Sequence, residues 1–117
     1  MSDSQLPHYS LFIDGEWVEG AAQKRLSTIN PATGDAWATF ACAEPEDVDR
    51  AVNGARKALS NPEWAGLTAT ARGALLNTLA DLLAEHSEAL GAVETTDSGK
   101  LAAETQSQAK YVANYYR

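Results

Sequence analysis

Large apolar side chains are scarce in this 117-residue chain: Leu, Val, Ile and Phe together supply 21 residues, while Ala alone supplies 22. Buried apolar surface stabilises a fold by about 25 cal/mol per Å², and an alanine brings little of it. A domain of this length has to bury about two-thirds of its unfolded surface, so the composition predicts a segment that completes its burial against something larger. Three Trp and four Tyr, set in ordered periodic patterns, exclude reading the thin core as disorder.

Cysteine is nearly absent as well. Cys42 alone cannot close a disulfide, and the start MSDSQLPHYS has neither a basic nor an apolar leader region. No apolar run approaches the ~20 residues that span a bilayer. A reducing, cytoplasmic setting and no membrane partner are the expectation. Positive charge is short too, with 9 Lys and Arg against 16 Asp and Glu, a net charge of −7 and a pI near 4.6. Such a surface repels a phosphate backbone, which excludes a nucleic-acid partner.

The compact signatures of chemistry are missing. No G-x-G-x-x-G occurs, so the residues carry no dinucleotide fingerprint. Gly99-Lys100 fails as a phosphate loop, because Glu94 stands where that motif needs glycine and Leu101 where it needs Ser or Thr. His8, in a polar tail, and His86, at a polar helix end, have no metal-ligand spacing to a partner. Cys42 has three acidic residues crowding the helix start beside it, which raise a thiol pKa, so it reads as a small buried filler. Glu44, Glu46, Asp47 and Asp49 read as a solvated helix start. No complete catalytic constellation is present.

Two regimes follow each other along the chain, strand and turn chemistry before about residue 43 and helical periodicity after it. Asp14-Gly15 between the apolar arms of SLFIDGEWV predicts a hairpin that puts Phe12 and Trp17 on one face. A second hairpin is expected from Leu26 to Phe40, turning on Asn30-Pro31-Ala32-Thr33-Gly34-Asp35. Val48, Ala51, Val52, Ala55 and Leu59 then share one helical face, with Pro45 in the first turn and Asn61-Pro62 as the stop. A second helix starts at the N-cap Thr68 and carries Leu75, Leu76, Leu79, Leu82 and Leu83. A third is capped by Ser87 and ends at Ser98-Gly99. The fourth begins near Leu101, carries Tyr111, Val112, Tyr115 and Tyr116, and runs to Arg117 without a stop signal, so a continuation is expected. Residues 1–9 are expected to be a flexible tail.

Five strings, in order, decide the family resemblance: LFIDGEWV, TINPATGD, EDVDRAVNGARKA, WAGLTATARGALL and ETTDSGK. Together they resemble the N-terminal part of the aldehyde dehydrogenase superfamily over about residues 11–117. The resemblance implies an α/β parent fold with a Rossmann-type cofactor domain, of which residues 10–117 are the opening part, cut short at the C-terminus. By themselves these residues make two β-hairpins followed by about four helices, which in isolation looks like α+β. It implies oxidation of an aldehyde to a carboxylic acid with NAD or NADP, through a cysteine thiolate and a glutamate base. Both lie downstream in the family, so no catalytic or cofactor-binding residue is expected here, the chain alone is expected to be inactive, and the whole protein is expected to be a homo-oligomer.

The resemblance further implies a K⁺ or Na⁺ site at Thr28, Ile29 and Asp97, since a hard cation takes carbonyl and carboxylate oxygens. It places Tyr111 and Tyr115 on a helix bordering the aldehyde tunnel, with ordinary core packing as the alternative. Ser98 and Leu101 depart from the common asparagine and proline, which leaves the substrate subclass open. Two other readings compete. One is a stand-alone acidic helical module that docks a partner through its Leu and Tyr faces. The other is an acyl carrier modified at Ser98.

Overall fold

The computed structural model describes residues 6–117. They form two compact units, one running up to Ile29 and resuming over Gly34–Ala65, the other made of Asn30–Thr33 with Gly66–Arg117.

In the first unit, β2 (Leu11–Ile13) and β3 (Glu16–Val18) pair antiparallel around Asp14-Gly15. Both turn residues have positive φ, 55° and 85°, the tight-turn geometry whose twist matches the strands. Phe12 lies opposite Trp17 with ring centroids 4.9 Å apart, as the turn signal predicts. The second expected hairpin forms from β4 (Arg25–Ile29) and β5 (Ala36–Ala41). Its register shifts between Thr28 and Ile29, which face Ala38 and Ala36, so the strand is bulged at Trp37.

One strand was not expected. β1 (His8–Tyr9) runs parallel to β5 and completes a sheet ordered β1-β5-β4, placing the buried Ala38, Thr39 and Ala41 on its central strand. The tail expected over residues 1–9 is therefore shorter at its C-terminal end, and residues 1–5 of it lie outside the described residues. A two-residue parallel strand carries no local signal, because its partner is 31 positions away.

Helix α1 (Pro45–Ser60) begins with proline at a position whose N–H needs no partner, and stops at Asn61. A single turn, α2 (Pro62–Ala65), follows it.

The second unit holds α3 (Ala69–Glu85), α4 (Ser87–Ser98), α5 (Ala102–Ala113) and a terminal 3₁₀ turn over Asn114–Tyr116. Thr68 caps α3 by accepting the Ala71 N–H at 3.1 Å. Ser87 is not the cap of α4. It is that helix's first residue and is buried, with His86 preceding it. Gly99 closes α4 at φ 73°, a left-handed position that favours glycine. Helices α4 and α5 approach closely at Gly91, where a Cβ would lie 2.8 Å from the Gln106 backbone, and Thr95 and Thr105 bridge them hydroxyl to hydroxyl at 2.8 Å. Five α-helices occur among the described residues instead of four, the addition being α2.

Buried apolar residues are few among the described residues, and all but Ile13 are alanines: Ile13, Ala38, Ala41, Ala80 and Ala113. The faces that periodicity marked as apolar stay open, with Leu59 72% and Leu75 52% exposed. The scarcity of large side chains and the openness of the faces they form agree.

Candidate functional site

Two side-chain networks organise the first unit. The carboxylate of Asp47 is 1% exposed, and its Oδ2 accepts the Glu44 N–H at 3.0 Å and the Ala21 N–H at 2.9 Å. Those two backbone donors hold the carboxyl below its usual range, helped by the charge of Arg50 and opposed by burial. Oδ1 has no hydrogen bond; the Arg50 guanidinium is 3.6 Å away. Gly20 makes the approach of this loop possible, since any Cβ there would run into the Cys42 carbonyl. Asp47 is thus no part of a solvated acidic run. It ties the loop after β3 to the start of α1.

The second network surrounds His8. Its Nδ1 is 2.9 Å from the Thr39 hydroxyl and its Nε2 is 2.9 Å from Glu19 Oε1, which also accepts the Ser10 hydroxyl at 3.0 Å. Arg25 lies 3.5 Å from the other Glu19 oxygen. Hydroxyl, imidazole and carboxylate in sequence have the connectivity of a nucleophilic relay. Thr39 is 4% exposed on the central strand, so its hydroxyl has no room for a substrate, and the network is a clasp on β1. His8 belongs to the sheet and not to a polar tail. The His8 hydrogen bond above all holds the Glu19 carboxyl below its usual range, with burial opposing and Ser10, the His8 charge and Arg25 adding to it.

Cys42 is half-buried at the end of β5, its sulfur 4.0 Å from the Ala43 carbonyl, so it is more open than a core filler. Lys100 pairs with Glu94 at 2.5 Å, which commits its ammonium and agrees with the failed phosphate-loop pattern. Ser98 donates to the Glu94 carbonyl at 2.6 Å from the C-terminal end of α4, not from a helix start as the carrier reading needs. No group of three or more His, Cys, Asp or Glu positioned to hold a metal ion occurs among the described residues.

The residues implied for a monovalent cation sit as follows. Thr28 and Ile29 end β4, where its register with β5 shifts. Asp97 is exposed in the last turn of α4. Within the second unit the Pro31 ring lies where a Cβ on Gly99 would be, at 2.8 Å. Carbonyl oxygens and one carboxylate suit a hard monovalent cation in chemistry. Tyr111 and Tyr115 stand together, edge to face with centroids 5.3 Å apart and an interplanar angle of 86°. Both are exposed, at 61% and 74%, so packing within this chain does not account for them. A hydrogen bond with Tyr111 raises the Tyr115 hydroxyl.

Sequence reasoning missed Asp47 and His8. Asp47, three residues after Glu44 at a helix start, is the signal for a side chain reaching back to the cap. His8 carries no such local mark.

Residues 17–117 match the aldehyde dehydrogenase family. The chain is 47% identical over 112 residues to a (Z)-2-((N-methylformamido)methylene)-5-hydroxybutyrolactone dehydrogenase of Acinetobacter baylyi, a match covering 96% of this chain and 22% of that protein. It is 45% identical over 92 residues to the mitochondrial aldehyde dehydrogenase of Equus caballus, covering 77% and 18%. Among solved structures, betaine aldehyde dehydrogenase of Staphylococcus aureus in complex with NAD⁺ superposes with a TM-score of 0.88 at 35% identity, covering 97% of this chain and 22% of that one. An NAD-dependent aldehyde dehydrogenase of Sinorhizobium meliloti does so at 0.89 and 27%, covering 95% and 22%. The chain spans about a fifth of the length of these relatives. Its α/β architecture is that of the corresponding segment of these enzymes, and the chain belongs to the aldehyde dehydrogenase family.

Proposed function

We propose that these residues are the opening segment of the cofactor domain of an NAD(P)-dependent aldehyde dehydrogenase that oxidises a small-molecule aldehyde to a carboxylic acid. The observation that carries this reading is the family match over residues 17–117, together with superposition on NAD-dependent aldehyde dehydrogenases. Bound NAD or NADP supplies the hydride acceptor of the reaction. The part these residues play is scaffolding: the Asp47 and His8 networks lock strands and helices, and the open faces of α1 and α3 are surfaces for the rest of the protein to cover. The catalytic thiolate and base come from outside them, and the 117-residue chain alone is inactive.

The test is a segment exchange into the Acinetobacter baylyi relative, replacing its matching residues by this chain. The expected result is a folded chimera that keeps its dehydrogenase activity. A chimera that folds with its cofactor bound but has lost turnover overturns the scaffold reading.

Further features belong to this proposal. A K⁺ or Na⁺ ion taken by Thr28, Ile29 and Asp97 belongs to this reading, supported by the family match that covers the strings carrying them and by the oxygen chemistry they offer. Asp97→Ala in the whole protein should remove potassium-dependent stability; unchanged dependence rejects the site. Tyr111 and Tyr115 border the aldehyde path, supported by their exposure as a pair. The whole protein is a cytoplasmic homo-oligomer, a reading supported by the scarcity of cysteine in these 117 residues and by their open apolar faces.

A further inference from the structure

The first unit carries a groove of about 590 Å³ where the tip of the β2–β3 hairpin meets the flank of α1. Its helix side presents Arg50, Asn53, Arg56 and Lys57, and its hairpin side presents Asp14 and Glu16. Arg50, Asn53 and Lys57 follow one another at spacings of three and four, which sets them on one helix face. Three of the nine cations of the chain converge here, so the groove has a formal charge of +1 in a chain whose net charge is −7.

These cations are weakly committed. Arg50 stands 3.6 Å from Asp47 and Lys57 3.8 Å from Asp14, both beyond hydrogen-bond distance, and the two cationic side chains are 55% and 76% exposed. The Arg56 guanidinium has no ion pair or hydrogen bond to any described residue. The Glu16 carboxylate, on the hairpin side, has no ion pair or hydrogen bond to any described residue. Two guanidinium forks and an ammonium offer more donors than their present partners use, in the planar pattern that grips phosphate oxygens. The opposite wall offers acceptors only.

We propose that this groove binds a small phosphate ester that also carries an ammonium group. Its phosphate is taken by Arg50, Arg56 and Lys57 with the Asn53 amide, and its ammonium by Glu16. The acidic wall makes the site two-ended, and a plain anion meets Asp14 and Glu16 with nothing to offer them.

The probes are phosphoethanolamine and inorganic phosphate, titrated calorimetrically into the full chain at low salt. Phosphoethanolamine should bind saturably and more tightly than phosphate. Arg56→Gln should weaken both by about tenfold, the scale of one charge-assisted hydrogen bond. Glu16→Gln should weaken phosphoethanolamine and leave phosphate unchanged or improved. Lys110→Gln, on α5 and outside the groove, should change neither. Absence of saturable binding overturns the site, as does a Lys110→Gln effect equal to that of Arg56→Gln. Equal affinity for the two probes overturns the two-ended recognition. Arg50→Gln repeats the test should Arg56→Gln unfold, as judged by circular dichroism.

Discussion

Ala21 and Asp47 are joined by a 2.9 Å hydrogen bond from a loop N–H to a carboxylate that is 1% exposed. The same oxygen caps the first turn of α1 through Glu44. One side chain therefore fixes both where the helix starts and where the chain leaving the hairpin passes, which turns two local structures into one unit.

Replacing Asp47 by Ala should strand two backbone donors and lower the denaturation midpoint clearly. Asp49→Ala, an exposed acid two residues on, should leave it nearly unchanged. Urea titration of the two variants side by side checks this. Equal midpoints would show that Asp47 is the solvated acid its sequence context suggests.

Acid should unlock the same unit. Glu19 and Asp47 both have carboxyls held below their ordinary values of 4.5 and 3.8. A group whose folded pKa is depressed contributes stability that is present above its unfolded pKa and lost as pH falls through its folded one. Stability should therefore be flat above about pH 5 and decline below pH 4. Glu19→Gln should flatten part of that decline, measured as the thermal midpoint against pH, and an unaltered profile would remove Glu19 from the account.

The helix pair in the second unit gives a prediction with two signs. At Gly91 a Cβ would sit 2.8 Å from the Gln106 backbone, so Gly91→Ala should cost about 1–3 kcal/mol through overpacking. At Gly73, inside α3, a Cβ meets nothing within 4 Å, and Gly73→Ala should stabilise by about 0.5–1 kcal/mol. Equilibrium denaturation of both variants should move the midpoint in opposite directions.

Thr68 gives the clean local test. Its hydroxyl accepts the Ala71 N–H at 3.1 Å, and Thr68→Ala should cost about 1 kcal/mol while Thr68→Ser should cost much less. Hydrogen exchange at the first turn of α3 would register the loss directly.

What could be read from the residues was whatever is signalled within a few positions. Asp14-Gly15 marks its turn because both residues accept positive φ, and Pro45, Asn61, Thr68 and Gly99 punctuate helices through their own backbone chemistry. The misses are contacts made at a distance. His8 joins a strand whose partner, Thr39, is 31 residues on, and nothing in P-H-Y-S announces it. Among four neighbouring acids only Asp47 turns inward, and the loop at Gly20 and Ala21 selects it. The one-turn helix α2 escaped because Pro62 reads first as a stop. The implied site residues were locatable only through the family strings, since Thr28, Ile29 and Asp97 have no pattern of their own.

The proposed role of these residues is to build a dehydrogenase scaffold while carrying none of its chemistry. The most direct test is to incubate the purified 117-residue chain with NAD⁺ or NADP⁺ and a panel of aldehydes, and to follow reduced nicotinamide by absorbance. No turnover is expected with any pair. Turnover that disappears in Cys42→Ser would contradict it, since the chain would then carry its own nucleophile.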